Sequence, residues 1–93
     1  MRIINILPSF EKSSNKLSKR DKEKLKKSLH QLNNFLLFNT LPKGLGLKKL
    51  AGDLYELRVD MRLRVIFKMK KEIVYLILAG SHQDIRQYLK KIR

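Results

Sequence analysis

Between Leu54 and Gly80 the chain carries three apolar runs in close succession: LYELRV (54–59), MRLRVIFKM (61–69) and IVYLILAG (73–80). The first two alternate apolar and polar residues, the period of a strand with one buried face. The third is apolar at nearly every position, as expected of a central strand. Short polar breaks at Asp60-Met61 and at Lys70-Lys71-Glu72 suit hairpin turns. The pattern predicts an antiparallel meander with strands over about 53–59, 62–69 and 72–79. Alternation then puts Tyr55, Leu57, Val59, Leu63, Val65, Phe67 and Met69 toward the core. Glu56, Arg58, Arg62, Arg64, Ile66 and Lys68 face the other way.

The remaining elements are built around this meander. RIINIL (2–7) reads as a strand stopped by Pro8. Ser9 is expected to cap a short helix over about 10–17, with Phe10 and Leu17 on one face. Ser18 and Asp21 have capping-box spacing and open a helix that runs to about Phe38. Leu25, Leu29, Leu32 and Leu36 form its apolar stripe, and Lys22, Lys26 and Lys27 its basic face. NTLPKGLG (39–46) reads as a loop, because Pro42, Gly44 and Gly46 punctuate it. Ser81 and Asp84 repeat the capping spacing before a last helix over about 82–92, with Ile85, Leu89 and Ile92 turned inward. The expected fold is α+β, in the order β-α-α-β-β-β-α. Its antiparallel sheet would carry the helices on one face.

Length and charge bound what such a fold does. Residues 1–93 suit a single small domain. The net charge of +14 points to a polyanionic partner. With no cysteine, a thiolate metal site and a disulfide framework are excluded. Two histidines and eight acidic residues argue against a metal site, so no cofactor is expected. No apolar stretch approaches the roughly 18 residues of a membrane span. The start, MRIINILPSF, turns polar too early for a secretory signal, so a cytoplasmic protein without membrane contact is the expectation.

Candidate chemistry gathers at the open face. Arg58 and Arg64 fall there together, either as phosphate ligands or as a solvated basic face. His82 falls in the first turn of the last helix, where the helix dipole favours the neutral imidazole a base requires. Tyr88 borders the inward stripe and has an ordinary reading as the wet edge of the core. Asp84 is better explained by capping than by catalysis. Glu56 is read as the ion-pair partner of Arg58. Lys48, Lys49 and the helix lysines are placed to track a phosphate backbone.

In GLGLKKLAGDLYELRV (44–59), LRVIF (63–67) and AGSHQDI (79–85), taken in this order, the chain resembles the RelE/ParE superfamily of bacterial type II toxins. GSHQDI is similar to the Gly-Ser-His-x-Asp-hydrophobic end of the YafQ-like branch. The resemblance implies a metal-independent endoribonuclease that cleaves messenger RNA on the ribosome, neutralised by a cognate antitoxin. It assigns Arg58, Arg64, His82 and Tyr88 to the catalytic set. Lys22, Lys26, Lys27, Lys48, Lys49 and Arg62 are then expected to hold RNA or ribosome. An acidic antitoxin is expected to anchor on Phe35, Leu37 and Phe38. The chain departs from the RelE branch at Glu56, where that branch has lysine. It departs from the YafQ-like branch at Arg58, which replaces a histidine, and at Leu63, which replaces a tryptophan. A non-enzymatic DNA gyrase inhibitor of the ParE type and an inactive RNA- or antitoxin-binding domain share the same fold.

Overall fold

A computed structural model describes residues 3–38 and 46–92, with the Phe38 side chain outside the described part. The elements are β1 (Ile3–Ile6), α1 (Pro8–Asn15), α2 (Lys19–Phe38), β2 (Gly46–Ala51), β3 (Leu54–Arg58), β4 (Arg64–Lys70), β5 (Ile73–Gly80) and α3 (His82–Lys91). The expected order holds, with β2 added between α2 and the meander. The strands form one sheet in the order β1-β5-β4-β3-β2. The sheet is mixed: β1 pairs parallel with β5, and the other neighbours are antiparallel. A parallel β1 follows from topology, since α1 and α2 lie between it and the meander and carry the chain across. No helix among the described residues is long and apolar enough to cross a membrane.

The register of the meander agrees with the alternation read from sequence. Leu57, Val65 and Phe67 are buried beneath Leu25 and Leu32 of α2, in one cluster with Leu63, Val74 and Leu76. Tyr55 stacks on its cross-strand partner Phe67 at 5.4 Å between ring centroids, an aromatic pair on the helix side of the sheet. Leu29 and Leu36 pack against the same cluster half-buried, which completes the leucine stripe.

The second sheet face is covered too. Ile66 alternates away from Val65 and Phe67 and forms a second cluster with Ile77 and Ile85, against which Tyr88 and Leu89 pack. Helix α3 therefore lies on the opposite face from α2, and the expectation that all helices share one face is corrected. Apolar residues on both faces of β4 and β5 require cover on both sides. A bulge places Ile77 as an extra residue, since Ile66 pairs with Leu78 and Phe67 with Leu76.

Helix α1 begins two residues earlier than expected. Its N-cap is Leu7, without a side-chain cap, and Pro8 opens the helix. Proline presets φ and has no N–H to satisfy there, so Ser9 is free for another task. Its hydroxyl donates to the Ile77 carbonyl at 2.6 Å, and Ser13 Oγ accepts from Ala79 N–H at 3.0 Å. Past the end of β1, α1 thus completes the backbone hydrogen bonds of β5 with side chains. At the other helix, Asp21 N–H donates to Ser18 Oγ, as the capping spacing predicts. The expected inward position of Ile92 is not found; it is the C-cap residue of α3 and is exposed.

Candidate functional site

Four strands place one residue each in a single cross-strand row: Gly46, Arg58, Arg64 and Gly80 are successive partners. Arg58 and Arg64 are thus directly opposite one another, flanked by residues without side chains. A Cβ on Gly46 would stand 3.0 Å from Arg58 Cβ and 3.4 Å from its Nε, so the Arg58 stem lies across that glycine. The neighbouring row contains Lys48, Glu56 and Ile66.

Glu56 is buried, and its Oε1 accepts from Arg64 Nη1 at 3.4 Å. The carboxylate pairs with Arg64 rather than with Arg58, which corrects the partner expected from sequence. Arg58 extends outward over Gly46, whereas Arg64 lies one row diagonally from Glu56. Arg64 Nε is buried without a hydrogen-bond partner among the described residues. Glu56, and Asp84 beside Gly80, set two carboxylates against Lys48, Arg58 and Arg64, so positive charge stays in excess at this end of the sheet. Such a cluster can hold a phosphate or stabilise charge that develops on one.

From Gly80 the chain passes directly into α3. Gly80 ends β5, Ser81 is the N-cap, and His82 is the first helical residue, exposed to solvent. Ser81 Oγ accepts from Asp84 N–H, while Asp84 Oδ2 accepts from Ser81 N–H at 2.9 Å, a complete capping box. Asp84 is thereby committed to structure. A Cβ on Gly80 would stand 2.7 Å from Asp84 Oδ2, so the strand-to-helix junction requires glycine.

Tyr88 is half-buried and lines a groove of about 640 Å³ between α1, α3 and the end of β5. Lys12, Lys16, Arg62 and Lys91 stand around this groove. Arg62 is not a strand residue, contrary to expectation. The Asp60 carboxylate accepts from the N–H groups of Arg62 and Leu63 at 2.8 and 2.7 Å, which holds them in the turn before β4. Lys24 of α2 donates to Asp60 at 2.9 Å. That hydrogen bond, with those from the turn backbone, lowers the Asp60 pKa to about 2.

Lys48 and Lys49 both lie exposed on β2, an edge strand in the stretch between the expected loop and meander, which the sequence reading left unassigned. Only Lys48 shares the face of Arg58 and Arg64, because it pairs with Glu56 and Lys49 with Tyr55. Lys22, Lys26 and Lys27 are exposed on α2. Of the expected antitoxin anchors, Phe35 is half-buried and Leu37 exposed. The third expected anchor, the Phe38 side chain, lies outside the described part of the structure. Sequence reasoning missed the Lys24–Asp60 tie and the Ser9/Ser13 pair. The i, i+4 spacing of the two serines was the available signal for the latter.

No protein-family model matches the chain, and a search of curated proteins gives no match. Solved structures do. The structure superposes on Escherichia coli YafQ from a DinJ–YafQ complex with a TM-score of 0.76 at 23% identity, covering 91% of this chain and 98% of that one. It is similar to RelE of a Methanococcus jannaschii RelB–RelE antitoxin–toxin complex, with a TM-score of 0.70 at 14% identity over 90% and 96% of the two chains. It is also similar to a Staphylococcus aureus YoeB dimer, with a TM-score of 0.66 at 17% identity over 87% and 97%. The chain has the fold of the RelE-like toxins.

Proposed function

We propose that this protein is the toxin of a type II toxin–antitoxin pair and acts as a ribosome-dependent, metal-independent endoribonuclease. The observation that carries the reading is the Arg58–Arg64 row beside the glycine-terminated strand that leads into His82. The fold shared with YafQ and RelE, both solved with antitoxins, supports it.

In this reading His82 removes the proton from a ribose 2′-hydroxyl as that oxygen attacks the adjacent phosphorus. The P–O5′ bond breaks, leaving a 2′,3′-cyclic phosphate, and the 5′-oxygen takes up a proton. Arg64 and Arg58 stabilise the charge on the phosphoryl oxygens. Tyr88 is added to this set by the resemblance alone; its ring lines the groove between α1, α3 and the end of β5. Arg62 and the lysines at 22, 26, 27, 48 and 49 hold RNA or ribosome by charge.

Primer extension on messenger RNA, with and without ribosomes, tests the proposal. Ribosome-dependent cuts are expected, and His82→Ala or Arg64→Ala should reduce them by about 10²-fold or more. Undiminished cleavage by both variants would move the chemistry elsewhere. Absence of cleavage together with inhibition of DNA gyrase would replace the ribonuclease reading by the ParE-type one.

A further inference from the structure

Tyr88 and the cations around it take no part in the Arg58–Arg64 row. The groove they line, about 640 Å³ between α1, α3 and the end of β5, has the size of a site for one small ligand. Leu17, Leu63 and Leu78 give it an apolar surface. Lys12 and Lys16, one turn apart, line it from the α1 side. Gln87 and Lys91, also one turn apart, line it from α3, and Arg62 joins them from the turn before β4.

The four cations are free to bind. The ion pairs among the described residues join Lys24 to Asp60 and Arg64 to Glu56, and neither involves Lys12, Lys16, Arg62 or Lys91. Two carboxylates also line the groove. Asp84 is spent on the cap of α3, where it accepts from the N–H and the hydroxyl of Ser81. Asp21 lies in the first turn of α2. The hydroxyls of Ser9 and Ser13 are turned to the backbone of Ile77, Phe10 and Ala79, so the lysines are the groups left to hold an anion. Tyr88 is a fixed platform beside them, because it packs against the cluster of Ile66, Ile77 and Ile85.

We infer that this groove binds a nucleoside polyphosphate, with the base stacked on Tyr88 and the phosphates on Lys12, Lys16 and Lys91. Such a ligand joins a flat ring system to several negative charges in one compact unit. The groove offers an aromatic ring, apolar surface and cations from three elements around one cavity. RNA carries the same base-and-phosphate chemistry, but it spreads its charge along a strand rather than into a cavity of this size. Gly80 and Ser81 line the same groove, so an occupant touches the junction that leads into His82. Nucleotide binding of this kind goes beyond the toxin reading and needs neither ribosome nor partner protein.

Isothermal titration calorimetry of the full chain with ATP and with GTP is the test, with tripolyphosphate and a short single-stranded RNA titrated alongside. A chain of net charge +14 attracts any polyanion, so ratios between ligands decide. At least one of the two nucleotides should bind with one-to-one stoichiometry, about tenfold or more tighter than tripolyphosphate, which lacks the base. Tyr88→Leu should remove that advantage, and Tyr88→Phe should keep it. Lys12→Gln with Lys16→Gln, both exposed, should weaken nucleotide binding about tenfold or more. Lys68→Gln with Lys70→Gln, which removes the same charge from the other end of β4, should leave it unchanged. Thermal melting checks the fold of each variant. Equal affinity for tripolyphosphate and nucleotide, or equal losses in the two lysine pairs, overturns the inference. So does RNA binding that the Lys12/Lys16 pair weakens while neither nucleotide binds, an outcome that would assign the groove to an RNA chain.

Discussion

Glu56 sets the electrostatics around Arg64. It occupies a buried strand position, only 7% exposed, where a carboxylate is costly unless paired. Arg64 Nη1 supplies the partner, and Arg64 Nε is left without one among the described residues. Glu56→Ala should therefore destabilise the fold by about 1–3 kcal/mol, because it strands a half-buried guanidinium. Urea midpoints of the two single variants and the Glu56→Ala/Arg64→Ala double variant measure it, and a double-mutant cycle with no coupling would show that the pair does not act as one. The polarity of position 56 was legible from its place between Tyr55 and Leu57. Its choice of Arg64 over Arg58 was not. That choice depends on Gly46 leaving room for the Arg58 stem, a contact that exists only once β2 lies beside β3.

At the scale of elements, turns and edges carry the long-range information. Asp60 closes the β3–β4 turn with two backbone N–H groups and ties it to α2 through Lys24. With the folded pKa at about 2, below the ordinary aspartate value of 3.8, the Asp60 contribution is fully present above the unfolded pKa. It is lost as pH falls from about 4 toward 2. Asp60→Asn should cost about 1 kcal/mol at neutral pH, and less in high salt because the pair is partly exposed. Its deficit against wild type should shrink between pH 4 and pH 2 in urea titrations. A deficit independent of pH would assign the effect to turn shape alone. The turn itself was readable from Asp60-Met61, but the start of β4 was not. Arg62 alternates like a strand residue, and only the capture of its N–H by Asp60 removes it from the ladder. Likewise β2 was hidden: GLKKLA (46–51) lacks a clean alternation and becomes a strand because β3 offers it an edge.

Over the whole molecule, charge and topology divide the labour. Lys48 belongs to the open row, Lys22 and Lys26 to a groove between Ile4 and α2, and Lys12, Lys16 and Lys91 to the groove beside Tyr88. If RNA is held by the first two groups, affinity for a ribosomal RNA fragment falls steeply with salt. Lys48→Gln with Lys49→Gln should then reduce the slope of log affinity against log salt by about 1–2, read by fluorescence anisotropy. An unchanged slope would place the RNA away from β2. The sequence by itself determined the meander, the leucine stripe of α2, the cap that starts α3 and the excess of positive charge. The charge is a sum over the chain, and the others are local or periodic properties, written in neighbours two, three or four residues apart. Only the tertiary structure decided that α3 covers the opposite face from α2, that β1 runs parallel beside β5, and that Arg58 and Arg64 stand between two glycines. Those facts join residues far apart in the chain, where pairing is selected by burial on both faces of the sheet rather than by any pattern within one segment.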